Sequence, residues 1–126
     1  MRLTLCMITL LSILILGVGD SSGECVEGNC RNGKGTFVYA DGAKYMGEFK
    51  NGERWGEGTL ISADGAKYVG EFRDDQLNGE GILVRPDGVK YKGEFKDNKI
   101  HGRGVLTSPG GNKLKGRFRD GEFVGK

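Results

Sequence analysis

One five-residue phrase recurs at a fixed spacing along this chain: Tyr45-Met46-Gly47-Glu48-Phe49, Tyr68-Val69-Gly70-Glu71-Phe72, Tyr91-Lys92-Gly93-Glu94-Phe95 and a worn Leu114-Lys115-Gly116-Arg117-Phe118. Each copy starts 23 residues after the last, with neither insertion nor deletion. A fixed short period means a stack of like supersecondary units in which each unit packs on its neighbours, not a globule around one pocket. Such stacks offer a long surface and seldom a catalytic cleft.

Within a unit the apolar period is two. Tyr45, Gly47 and Phe49 fall on one side of a strand and Met46, Glu48 and Lys50 on the other. Asn51-Gly52 supplies turn chemistry, a second strand follows from Gly56 to Ile61, and Asp64-Gly65 closes it. Each unit is a β-hairpin and the whole is all-β, an elongated antiparallel meander of stacked hairpins. Two strands per unit, spaced by ~4.8 Å, advance the stack by ~10 Å, giving a rod about 40–45 Å long and one sheet thick. Glycine normally weakens strands, so its recurrence here calls for aromatic rings lying over the bare backbone. A single sheet covers only one face, so part of an aromatic row is expected to stay accessible; Tyr45, Phe49, Tyr68, Phe72, Tyr91 and Phe95, with Trp55 beside them, read first as the fold's small core and second as a groove that also binds.

The full units run 45–67, 68–90 and 91–113, with partial units at 33–44 and 114–126; the fourth phrase lacks a second strand. Residues 20–32 read as a degenerate N-terminal cap hairpin. Ahead of it, Met1-Arg2 and an uncharged run from Leu3 to Gly19 have the form of a signal helix cleaved near residues 19–24; an uncleaved membrane anchor is the alternative. The expected location is therefore secreted or periplasmic. Cys6 leaves with that leader, and Cys25 and Cys30 remain as a pair. In an oxidising compartment such a pair forms a disulfide, here drawn between positions expected to oppose each other across the first hairpin.

Charge is split along the chain. Residues 20–88 hold 8 basic and 13 acidic groups, net −5, whereas 89–126 hold 10 and 4, net +6. One His serves the whole chain, which leaves no nucleophile–base–orienter set and no metal centre. His101 falls in a column with Trp55, Asn78 and Val124, where the chemistry varies freely. Glu48, Glu71 and Glu94 form a column whose members are ~10 Å apart, expected to be a solvated ladder paired with Lys or Arg on neighbouring strands. The Gly-x-Gly pairs open no helix, so a nucleotide-phosphate loop is excluded.

The pattern Tyr-x-Gly-Glu-Phe, turn glycine, Gly-x-Gly, Asp-Gly resembles the MORN repeat over residues 25–126. The turn glycine stands as Gly52 and Gly121 but is replaced by Asp75 and Asn98, and the last unit departs at Leu114 and Arg117. The resemblance implies an elongated sheet used for scaffolding, self-association and in some cases contact with phospholipid. The leading expectation is a non-catalytic scaffold for protein–protein interaction or self-association, with a homodimer through the C-terminal edge as one form, and with no cofactor and no nucleic acid. The alternative is peripheral binding to anionic phospholipid through Lys92, Lys113, Lys115, Arg117 and Arg119 at the basic end; the third is glycan or cell-wall binding.

Overall fold

The computed structural model describes residues 22–126; the expected signal helix and its cleavage site lie outside the described residues. Ten strands form one sheet in sequence order: β1 (Gly23–Gly28), β2 (Gly33–Tyr39), β3 (Lys44–Lys50), β4 (Glu53–Ile61), β5 (Lys67–Arg73), β6 (Gln76–Val84), β7 (Lys90–Lys96), β8 (Lys99–Thr107), β9 (Lys113–Arg119) and β10 (Glu122–Gly125). All neighbours pair antiparallel, and the most extensive backbone contacts join consecutive strands.

The turns explain the even spacing. Asn51, Asp74, Asp97 and Asp120 have φ of 48–52° and their successors Gly52, Asp75, Asn98 and Gly121 φ of 69–91°. Two consecutive positive φ values define the two-residue turn whose twist matches that of the flanking strands. Each second turn residue also donates its N–H to a carbonyl 21 positions earlier: Gly52 to Arg31, Asp75 to Arg54, Asn98 to Leu77 and Gly121 to Ile100, at 2.9–3.1 Å. Asp75 and Asn98 return the bond, their Oδ1 atoms accepting from the N–H of Arg54 (3.1 Å) and Leu77 (2.9 Å). A carboxylate or amide in place of glycine thus stitches one unit to the next.

The second regular feature is a bulge. Gly47 opposes Gly58 and Phe49 opposes Arg54, so Glu48 stands against three residues, Trp55 to Glu57; Glu71 and Glu94 repeat this. The extra residues leave backbone groups outside the ladder, and the repeat phrase supplies their partners. The Glu48 carboxylate accepts from the N–H of Glu57 (3.2 Å) and that of Glu71 from Glu80 (3.1 Å). The hydroxyls of Tyr45, Tyr68 and Tyr91 donate to the carbonyls of Glu48, Glu71 and Glu94 at 2.8–3.0 Å. Glu48 and Glu71 are therefore backbone caps, and the expected ladder paired with Lys or Arg is absent: among the described residues none of Glu48, Glu71 and Glu94 has a cationic partner.

The aromatic row is the core. Tyr45, Phe49, Tyr68, Phe72, Tyr91 and Phe95 are 0–6 % exposed, as the core reading of the row has it, and the expectation that part of these six stays accessible is corrected. Each ring meets the next edge-on, both within a unit (Tyr68–Phe72, 5.2 Å between centroids) and across units (Tyr45–Phe72, 5.0 Å; Tyr68–Phe95, 5.0 Å; Tyr91–Phe118, 5.3 Å). The row covers itself, with Leu60, Leu83 and Leu106 alongside, in the geometry aromatic pairs prefer. The tyrosine rings lie on the paired glycines, and a side chain at Gly58 or Gly81 would run into the ring of Tyr45 or Tyr68.

Both ends differ from expectation. The last unit does have a second strand, β10, short but paired with β9. There Arg117 replaces the bulge glutamate, and the wide bulge narrows to one residue between Phe123 and Gly125. At the other end Cys25 and Cys30 are bonded, with Cα atoms 5.9 Å apart, yet they do not face each other across the hairpin. Cys25 opposes Phe37, while Cys30 lies beyond β1, in the connection to β2. A bulge at Val26 breaks the ladder between them. The bridge ties the end of β1 to its own turn.

Candidate functional site

With the rings buried, the surface left is the opposite face of the sheet. Alternation places Lys90, Lys92, Glu94 and Lys96 of β7 on it, since Tyr91 and Phe95 point into the core. The same rule places Lys113, Lys115, Arg117 and Arg119 of β9 there, opposite Leu114, Gly116 and Phe118. Between them β8 contributes Lys99, Arg103, Val105 and Thr107. The five residues expected from charge alone, Lys92, Lys113, Lys115, Arg117 and Arg119, are thus brought onto one face of adjacent strands, joined by Lys90, Lys96, Lys99 and Arg103. Nine cations share this surface with one carboxylate, Glu94, and among the described residues none of the nine is in an ion pair.

Cross-strand register sharpens the field. Arg103 sits directly opposite Arg117, and Lys96 directly opposite Lys99. Like charges so placed are destabilising by a few tenths of a kcal/mol each, and an anion lying between them would offset that cost. Further back on the same face, β2–β6 carry five cations (Lys34, Lys44, Lys50, Lys67, Arg73) and five carboxylates (Glu48, Glu53, Glu57, Glu71, Glu80). The charge asymmetry of the chain is therefore a local patch over β7–β9.

Trp55 is the one ring of the expected row that stays half-buried. It lies in the β4 bulge with the Lys50 ammonium 4.3 Å above its centroid and the Arg73 guanidinium at 6.0 Å. His101 occupies the equivalent bulge of β8, where Nδ1 accepts the N–H of Asp120 at 3.2 Å; this is a turn-fixing role.

The residue that column reading overlooked is Arg54. Its equivalents are Leu77, Ile100 and Phe123, an apolar column in which a charge should have stood out. Arg54 is 1 % exposed, between the rings of Tyr39 and Phe72 (5.7 Å to each centroid). Its Nε donates to Asp75 Oδ1 (2.7 Å) and its Nη2 to the Asp75 carbonyl (2.7 Å). The pair welds two units, with the guanidinium inside the core and the carboxylate one third exposed at its edge. Burial pushes the hydroxyls of Tyr45, Tyr68 and Tyr91 far above their ordinary titration range and raises that of Tyr39 as well; the ionised forms have no water to hold them.

A ten-stranded meander whose aromatic row is covered by the rings of adjacent units defines, over the described residues, a single-sheet repeat protein built for surface rather than for a pocket. The family model of the MORN repeat matches residues 28–44, 45–67, 68–90 and 91–113. The chain belongs to the MORN-repeat family, whose repeats occur in scaffolds that bind proteins or membranes. No curated protein matches it.

Proposed function

We infer that this chain is a non-catalytic docking scaffold that holds a polyanionic partner against the outward face of β7–β9. The carrying observation is the set of nine cations on that face, with a single carboxylate among them and no ion pair among the described residues. Protein or self-association through the aromatic row loses its basis, because those rings are the core. His101 is committed to a backbone N–H, which supports a binding role over catalysis.

Peripheral attachment to anionic phospholipid is the second reading. It is favoured by Val84 (38 % exposed), on the same face and directly opposite Lys90, and by Val69 (42 %), one strand further out. The test is binding of the full chain to labelled polyphosphate, polyglutamate, sulfated polysaccharide and acidic vesicles at low and physiological salt. Salt-sensitive binding to at least one of them, weakened in Arg103→Gln/Arg117→Gln, is expected. Binding to none, or equal binding by the variant, overturns the inference.

A further inference from the structure

The cations over β7–β9 are arranged in rails. Register places Lys92, Val105 and Lys115 in one line across the three strands, and Lys90, Thr107 and Lys113 in the next. Two lysine rails, on β7 and β9, therefore flank a floor of small, half-buried side chains on β8. Two strand spacings separate the rails by ~10 Å, and lysines on one rail follow each other at ~7 Å. Toward the bulge end Arg103 rises from the floor opposite Arg117, and Glu94 takes the corresponding place on β7. The result is a short, shallow channel running with β8, with two lysines on each wall and the Arg103 guanidinium at its bulge end.

We propose that this channel takes a linear acidic polysaccharide, laid along β8 with its sulfate or carboxylate groups on the two lysine rails. The proposal rests on the polyanion-docking reading above and names its partner. The shape favours a chain one residue wide over a planar surface. The floor residues Val105 and Thr107 are only half-buried between long lysines, and none of the strongly exposed aliphatic side chains lies within β7–β9, so nothing in the channel would insert among lipid tails. No aromatic ring opens onto it for base stacking, since Tyr91, Phe95 and Phe118 are buried beneath the sheet. On the outward face of β2–β6 cations and carboxylates are equal in number, so that face of a second copy offers no net negative counter-surface. Hydroxyl-rich, evenly charged sugar chains suit a channel whose walls donate and whose floor includes a threonine.

The test uses the full chain and a size-defined sulfated oligosaccharide, with the matching uncharged oligosaccharide, inorganic sulfate and acidic phospholipid vesicles as further arms. The expected result is binding of the sulfated chain that weakens steeply with salt, with no binding of the uncharged chain and none of sulfate at equal anion concentration. Lys92→Gln/Lys115→Gln should lower the affinity by roughly thirtyfold, taking about 1 kcal/mol for each cation near an anionic surface. Lys44→Gln/Lys67→Gln removes the same charge from the same face outside the channel and should change it by less than about threefold. Both pairs are exposed, and an unchanged urea midpoint confirms folding. Equal losses in the two variants would overturn the channel, as would binding to acidic vesicles but not to the oligosaccharide; the latter leaves polyanion docking standing. Binding in no arm overturns both.

Discussion

Asp75→Asn removes the carboxylate that faces the buried guanidinium of Arg54 while leaving its shape in place. Arg54 is 1 % exposed and Asp75 33 %. Breaking one side of a buried pair costs roughly 3–5 kcal/mol, because the surviving charge stays out of water. The partial exposure of Asp75, and the Nη2 bond to its carbonyl, which the variant keeps, put the expected loss at about 3 kcal/mol. Arg54→Leu should behave differently. The buried Nη1 finds no acceptor among the described residues, the next units place Leu77 and Ile100 at this position, and Asp75 can turn to water; the change should lie within about 1 kcal/mol of the parent. The double variant Arg54→Leu/Asp75→Asn reproduces the arrangement of Leu77 and Asn98 one unit on, where an amide Oδ1 accepts the leucine N–H at 2.9 Å. It should recover the parent stability or exceed it, giving a coupling of about 3 kcal/mol. Urea unfolding followed by circular dichroism measures all four corners of the cycle. An Asp75→Asn variant as stable as the parent, or a double variant as unstable as Asp75→Asn, would refute the account of this pair.

High pH should unfold the chain steeply. Burial keeps Tyr45, Tyr68 and Tyr91 neutral in the fold, whereas the unfolded chain releases these protons near pH 10. Above that pH the unfolded state holds fewer protons, so stability is full below about pH 10 and falls above it by up to ~4 kcal/mol per pH unit for the three. Tyrosinate absorbance rising with an ordinary midpoint before the circular dichroism changes would contradict this. Gly81→Ala should cost about 3 kcal/mol by driving the Tyr68 ring off its seat. Gly110→Ala, which meets open space in a turn, should be neutral or gain about 0.5 kcal/mol; similar urea midpoints for the two would defeat the ring-on-glycine argument. Reducing the Cys25–Cys30 bridge should cost about 2 kcal/mol on the chain-entropy estimate, with faster amide exchange confined to β1 and β2; acceleration reaching β5 would show that the cap holds the whole sheet.

The repeat made the fold legible because a 23-residue phrase with period-two alternation and turn residues at fixed offsets leaves few arrangements open. Ring over glycine was also readable, since a strand with bare backbone needs cover. What the sequence concealed was tertiary. The expectation of an accessible aromatic row took a single sheet to be flat; edge-on packing between units lets the rings cover one another, and no column shows a distance between rings. Glu48 and Glu71 read as surface charges because the bulge that leaves an N–H for each to bind exists only once the register is known. The cysteine pair was legible as a bond but not in its placement, because the bulge at Val26 lies outside the repeat pattern. The basic end was visible as a count; that all nine cations share one face follows from strand alternation. Arg54 was the one available signal that went unread.

The stitching of turn to preceding unit also encodes sequence order. Arg54 meets Asp75, whereas Leu77 meets Asn98. If the units 68–90 and 91–113 changed places, Arg54 would face an amide and Ile100 a carboxylate, and a buried cation would be left without its anion. The hairpins look alike from outside, but each carries an address its neighbour checks. A family array assembled from identical units could slip or be shuffled without penalty; in this chain a single buried pair marks which hairpin comes second.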